Sequence, residues 1–154
     1  MHSEHNDTSV LQKELVVLLV EDDPADQTLI EWAFTYSKRP YDLRVVSDGV
    51  DALDYVSRRG IFGDPSKSPR PDIILLDINM PRVEGMTVLE ALKGHNDFRS
   101  IPVIMLTTSA RESDMELSKR LGARCFWTKP KTRDEYIELV HVINCFLVER
   151  NEEA

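Results

Sequence analysis

Two cysteines in 154 residues, Cys125 and Cys145, are too few for a disulfide scaffold. Each stands beside aromatic and aliphatic neighbours, Phe126-Trp127 and Phe146-Leu147, so both read as reduced packing thiols. Long apolar runs are missing too: none approaches the roughly 20 residues that span a bilayer, and no membrane association is expected. The first fourteen residues lack the cationic start and apolar centre of a signal peptide, which makes the cytoplasm the expected compartment. Positive charge is scarce, with 19 Lys and Arg against 27 Asp and Glu and a formal net charge of -8. No basic patch stands out, which excludes the electrostatic footprint of a nucleic-acid binder. No G-x-x-x-x-G-K-[ST] occurs, so a P-loop nucleotidase is disfavoured. His2 and His5 have no cysteine or further histidine nearby and read as tail residues.

What remains is an ordinary globular composition, 42% apolar and 30% charged, in a length that suits one core. Short apolar runs alternate with helical patterns along the chain. The predicted strands cover 15–20, 43–46, 73–76, 103–106 and 125–127. Helices are predicted over 24–36, 50–58, 86–93, 114–121 and 134–148, with Pro24 at a first turn and Gly94 and Gly122 at helix ends. Residues 59–71, rich in Gly, Pro, Ser and Lys, read as a solvent-exposed loop. Residues 1–14 read as a flexible tail, 15–148 as one domain, and 149–154 as a second tail too short for an output domain. Alternation of this kind implies an α/β fold, a parallel sheet with helices on both faces.

The polar residues that end these strands carry the chemistry. Ile73-Ile74-Leu75-Leu76 stops abruptly at Asp77, and the first strand runs straight into Glu21-Asp22-Asp23. The fourth strand ends in Thr107-Thr108-Ser109, and Lys129 follows the fifth. In open parallel sheets the carboxyl ends of the strands share the rim where ligands bind. Two carboxylates about 4 Å apart repel by roughly 4 kcal/mol at an effective dielectric near 20. A hard divalent cation such as Mg²⁺ relieves that repulsion through oxygen ligands and neutralises charge during phosphoryl transfer. A carboxylate can itself be the nucleophile and form an aspartyl phosphate.

Four motifs in order, Leu19-Val20-Glu21-Asp22-Asp23-Pro24, Leu75-Leu76-Asp77-Ile78-Asn79-Met80-Pro81 with Gly85, Leu106-Thr107-Thr108-Ser109, and Lys129-Pro130, resemble the receiver domain of two-component response regulators. The resemblance covers 15–148. It implies a doubly wound, flavodoxin-like five-stranded sheet in the order 2-1-3-4-5. It implies that Asp77 is the phosphoacceptor, and that Asp22, Asp77 and the backbone carbonyl of Asn79 bind Mg²⁺, with Glu21 completing the acidic pair in an outer, water-mediated role. Thr107 would hydrogen-bond the phosphoryl group and Lys129 would pair with it, across a cis Lys129–Pro130 bond. Phe126 occupies the aromatic switch position and has no hydroxyl, so tyrosine-type hydrogen bonding in switching is excluded. Such a protein is a signalling switch served by a sensor histidine kinase, and catalyses only its own phosphorylation and dephosphorylation. A narrower likeness, in Arg58-Arg59-Gly60, Arg70-Pro71-Asp72 and Leu106-Thr107-Thr108-Ser109, points to small regulators that work with bacteriophytochrome kinases, the partner sensing the light.

Each of these residues also has a plain reading. Asp77 alone would cap the next turn, and Asp23 suits a helix start. Thr107 alone is a β-former, and Lys129 alone a solvated lysine. Asn79 and Ser109 are either turn residues or groups that set the phosphoryl lifetime by placing water. Their joint presence favours the site. A haloacid-dehalogenase-like phosphatase also uses a strand-end Asp and Mg²⁺, but wants a second acid where Asn79 stands. A phosphate-independent adaptor would not need the complete set. On the last predicted helix Tyr136, Val140, Ile143 and Leu147 form one apolar stripe, and Leu139, Val142 and Phe146 a second. One stripe suffices for a core, so the second predicts a homodimer through this helix and the fifth strand.

Overall fold

A computed structural model describes residues 14–80, 83–108 and 111–153. Ser109, Pro81 and most of the N-terminal tail, His2 and His5 included, lie outside the described residues. Five strands, β1 (Leu15–Val20), β2 (Tyr41–Val46), β3 (Ile73–Asp77), β4 (Val103–Thr107) and β5 (Cys125–Thr128), alternate with five helices. These are α1 (Pro24–Tyr36), α2 (Gly49–Ser57), α3 (Gly85–Lys93), α4 (Glu112–Arg120) and α5 (Arg133–Glu153). The strands are all parallel, in the order β2-β1-β3-β4-β5. Among the described residues no helix is long and apolar enough to cross a membrane.

Both faces of the sheet are covered, which is why its central strands β1, β3 and β4 are apolar up to their carboxyl ends. Val17, Leu19, Ile73, Leu75, Ile104 and Leu106 pack beneath α1 and α5. Leu18, Val20, Ile74, Leu76, Val103 and Met105 pack beneath α2 and α3. Helices α1 and α2 start where the chain supplies acceptors. The Asp23 carboxylate accepts from the Ala25 N–H at 2.8 Å with Pro24 following it, and Asp48 accepts from the Asp51 N–H at 2.9 Å.

Residues 59–71 are largely exposed, as expected, and they also contain a 3-10 turn (Gly60–Phe62) and a buried Ser68. Arg44, Tyr55 and Arg58 reach across to donate to the carbonyls of Lys67, Pro69 and Ser68, at 2.7, 2.8 and 3.4 Å. Three other expectations change. The last helix runs on to Glu153, because nothing in 149–153 breaks it. The Lys129–Pro130 bond is trans, as are all peptide bonds among the described residues; the two isomers of an X–Pro bond differ by only about 1 kcal/mol, so sequence alone does not choose between them. Leu139 is not on an exposed stripe. It is 1% exposed in the core shared with α1, while Val142 and Phe146 are half-buried and the Arg124 guanidinium lies 4.4 Å from the Phe146 ring. The helix packs with one wide face, wide enough to take Leu139 as well as the Tyr136 stripe.

Candidate functional site

The ladder carries the strand ends to one rim. Val20 pairs with Leu76, Asp77 with Leu106, and Thr107 with Thr128. Backbone bonds extend this beyond the strands, with the Glu21 N–H donating to Val46 at 3.0 Å, that of Ile78 to Leu106 at 3.0 Å and that of Lys129 to Thr107 at 2.6 Å. Glu21, Asp77, Thr107 and Lys129 therefore arrive together. Gly85 closes the far side: its N–H donates to the Ile78 carbonyl at 2.9 Å, and a Cβ there would collide with the Asp77 carbonyl oxygen.

Glu21, Asp22 and Asp77 each place a carboxylate oxygen within 4.8 Å of the others. Glu21 and Asp77 are buried, whereas Asp22 is exposed at the mouth. The Asn79 N–H donates to Asp77 Oδ1 at 3.2 Å, and its side chain is exposed. Lys129 Nζ sits 2.6 Å from Glu21 Oε1, 3.1 Å from Asp26 Oδ2 and 3.3 Å from Asp77 Oδ2. Thr107 is buried at the end of the strand adjacent to that of Asp77. Phe126, opposite Met105 in the ladder, is half-buried. It lines a groove of about 520 Å³ with Met115 and Lys119 of α4.

Among the described residues, the electrostatics are those of too many acids around one base. Burial pushes the Glu21 carboxyl up to about 7, against the pull of Lys129 and with the help of the Asp77 charge. Burial likewise raises Asp77, although Lys129 and the Asn79 N–H act the other way. Burial alone would lower Lys129, but the carboxylates of Glu21, Asp77 and Asp26 more than reverse this and keep it an ammonium. Glu21 Oε1 is buried, and the Lys129 ammonium 2.6 Å away is its close ionic partner. An excess of converging, partly desolvated oxygens fits a hard divalent cation. Glu21, Asp22 and Asp77 offer the carboxylates.

Sequence reasoning missed Asp26 and Tyr136. Asp26 is the third residue of α1, where an acid reads as a complement to the helix dipole. Only the approach of α1 to Lys129 gives it another role. The buried Tyr136 hydroxyl faces it from α5: burial first, then the Asp26 charge, raises its pKa.

Comparison with known proteins agrees with this geometry. Residues 17–141 match the family described as the response regulator receiver domain. Response regulator Rcp1 of Synechocystis sp. is 36% identical over 134 residues, 87% of this chain and 89% of its own. The crystal structure of Mn²⁺-bound Rcp1 superposes with a TM-score of 0.76 at 36% identity, covering 86% of this chain and 93% of that one. The phosphorylated cyanobacterial phytochrome response regulator RcpA superposes with a TM-score of 0.80 at 34% identity, covering 88% and 95%. The bacteriophytochrome response regulator RtBRR does so with a TM-score of 0.72 at 38% identity, covering 84% and 77%. The family match runs from within β1 into α5 and takes in the acidic rim, and by these matches the chain belongs to the response regulator receiver family.

Proposed function

We propose that Asp77 is the residue of this receiver that accepts a phosphoryl group, from a phosphohistidine of a sensor histidine kinase. One observation carries the reading: the Asp77 carboxylate is held at both oxygens, by the Asn79 N–H at 3.2 Å and by Lys129 at 3.3 Å, in a nest of acids that suits Mg²⁺. An oxygen of Asp77 attacks phosphorus, the P–N bond to the donor imidazole breaks, and its electron pair returns to the ring. The product is an acyl phosphate. Asp22, Asp77 and the Asn79 carbonyl would hold a divalent cation, with Glu21 in an outer, water-mediated role, and the cation would supply charge neutralisation for the transferring group. Lys129 pairs with a phosphoryl oxygen, and the Thr107 hydroxyl takes another. Phe126 lacks a hydroxyl, so its response is one of packing in the α4–β5 groove.

The kinase partner is of the bacteriophytochrome class, a reading supported by the names of RcpA and RtBRR, and the encounter takes place in the cytoplasm. A homodimer through α5 and β5 stays part of the proposal, with Val142 and Phe146 on the contact and Leu139 removed from it. The phosphatase alternative lacks its second acid, since Asn79 stands two residues after Asp77.

Radiolabelled phosphorylated kinase, or acetyl phosphate, labels the wild type in Mg²⁺ and fails to label it in EDTA. Asp77→Asn is not labelled. A variant that is labelled normally refutes the assignment.

A further inference from the structure

We propose that Asp26 is a positioning residue that keeps the Lys129 ammonium beside Asp77 when a divalent cation occupies the acid cluster. The inference rests on the phosphoacceptor reading above.

An ammonium has three donors. Lys129 directs them at three carboxylates, Glu21 at 2.6 Å, Asp26 at 3.1 Å and Asp77 at 3.3 Å. Two of these, Glu21 and Asp77, belong to the cluster whose oxygens converge for a cation. Asp26 does not belong to it. A cation in the cluster would compete with Lys129 for the Glu21 and Asp77 carboxylates and repel the ammonium at short range. Asp26 is the one partner among the three that the cation leaves to Lys129.

Asp26 is also built to hold still. It lies in the first turn of α1, fixed by the Asp23 cap, by Pro24, and by the Gln27 amide donating to the Glu21 carbonyl at 2.5 Å. The Tyr136 hydroxyl stands behind it. A first-turn acid that served only the helix dipole could remain in water. This one is turned inward, its side chain 24% exposed, onto a lysine 103 residues away in sequence.

The test uses Asp26→Asn, Asp26→Glu, Lys129→Gln and the double variant Asp26→Asn/Lys129→Gln, with circular dichroism to confirm folding. Acylation of Lys129 by an amine-reactive acetyl ester, read by mass spectrometry with and without Mg²⁺, is the first readout. Wild type and Asp26→Glu stay protected in both conditions. Asp26→Asn is protected without the cation and labelled several-fold more with it. The second readout is phosphorylation by acetyl phosphate at saturating Mg²⁺, which Asp26→Asn slows by about tenfold, the scale of one weakened charged contact. In the Lys129→Gln background Asp26→Asn has no further effect. Equal protection of Lys129 in wild type and Asp26→Asn with Mg²⁺ overturns the proposal, and so does an Asp26→Asn defect that persists undiminished without Lys129. The acylation pattern judges Asp26 whichever residue takes the phosphate, whereas phosphate uptake by Asp77→Asn would refute the phosphoacceptor reading instead.

Discussion

Lys129 and Asp77 are 52 residues apart in sequence and 3.3 Å apart in space, and between them they define the chemistry of the rim. Among the described residues the lysine is the only base touching three acids there, and a fourth, Asp22, lies at the mouth. Negative charge is thus in excess before any phosphate arrives, and a bound cation changes the stability of the site as well as its reactivity.

The pH dependence of cation binding follows. Glu21 titrates near 7 and Asp77 is raised from its ordinary value, both chiefly through burial. Mg²⁺ needs both carboxylates ionised, so it competes with protons below pH 7. Its affinity should rise from pH 6 to pH 8, with protons released on binding. Calorimetry in two buffers of different ionisation enthalpy measures that release. The sign for folding is the reverse. A carboxyl raised from 4.5 to about 7 stabilises the fold fully below about pH 4.5, and that contribution is lost as pH rises through 7. Without a cation the melting temperature should therefore decline from pH 6 to pH 8, and added Mg²⁺ should raise it more at pH 8. A flat profile for both quantities would contradict this picture.

Most of the rim was legible in the sequence because each member ends an apolar run. Asp77 after Ile73-Ile74-Leu75-Leu76, Glu21 after the first strand, Thr107 after the fourth and Lys129 after the fifth need only a parallel sheet to be brought together. Asp26 was not legible, since its helical position already explained an acid and only the tertiary approach of α1 to Lys129 turns it inward. Leu139 was misplaced for a related reason. Periodicity finds apolar stripes on a helix, but the arc that a core covers depends on the neighbouring helix, and α1 is broad enough to bury Leu139 with Tyr136 and Ile143. Composition marks 59–71 as an exposed loop, which most of it is, but does not reveal that its carbonyls are held by Arg44 of β2 and by Tyr55 and Arg58 at the end of α2.

Glu21→Gln should separate stability from function. Neutralising Glu21 removes a buried carboxylate whose ionised form is disfavoured, despite its contact with Lys129. At pH 8 in EDTA the variant should be more stable by about 1 kcal/mol, a discounted share of the shift. Its Mg²⁺ affinity should fall at the same time. Urea denaturation and a metal titration read the two effects, and a variant that is destabilised without cation would show that the Lys129 contact outweighs burial.

Gly85→Ala tests the close approach behind Asp77. The added methyl meets the Asp77 carbonyl oxygen and lies 2.8 Å from the Ile78 Cα, both backbone atoms with no room to yield. The usual gain of Ala over Gly in a helix, about 1 kcal/mol, is outweighed by a cost of overpacking of about 2–3 kcal/mol. The end of β3 must shift to relieve the clash, so labelling at Asp77 should drop along with the denaturation midpoint. Wild-type stability together with wild-type labelling would mean that the turn is looser than it is here.

The face of α5 yields a contrast between two substitutions on one helix. Leu139 is core, 1% exposed beneath α1, so Leu139→Ala should cost about 2–5 kcal/mol in a denaturant titration and leave the oligomeric state of the folded fraction alone. Val142 is half-buried on the same helix and is not among the residues packed into that core. A charge there costs little within one subunit, but in a subunit contact it would be desolvated without a partner. Val142→Lys should therefore keep its melting temperature within a few degrees and, if α5 forms the proposed subunit contact, shift sedimentation from dimer to monomer. If Val142→Lys sediments as the wild type does, α5 is not the contact, and the half-buried Val142 and Phe146 are only the margin of a wide core.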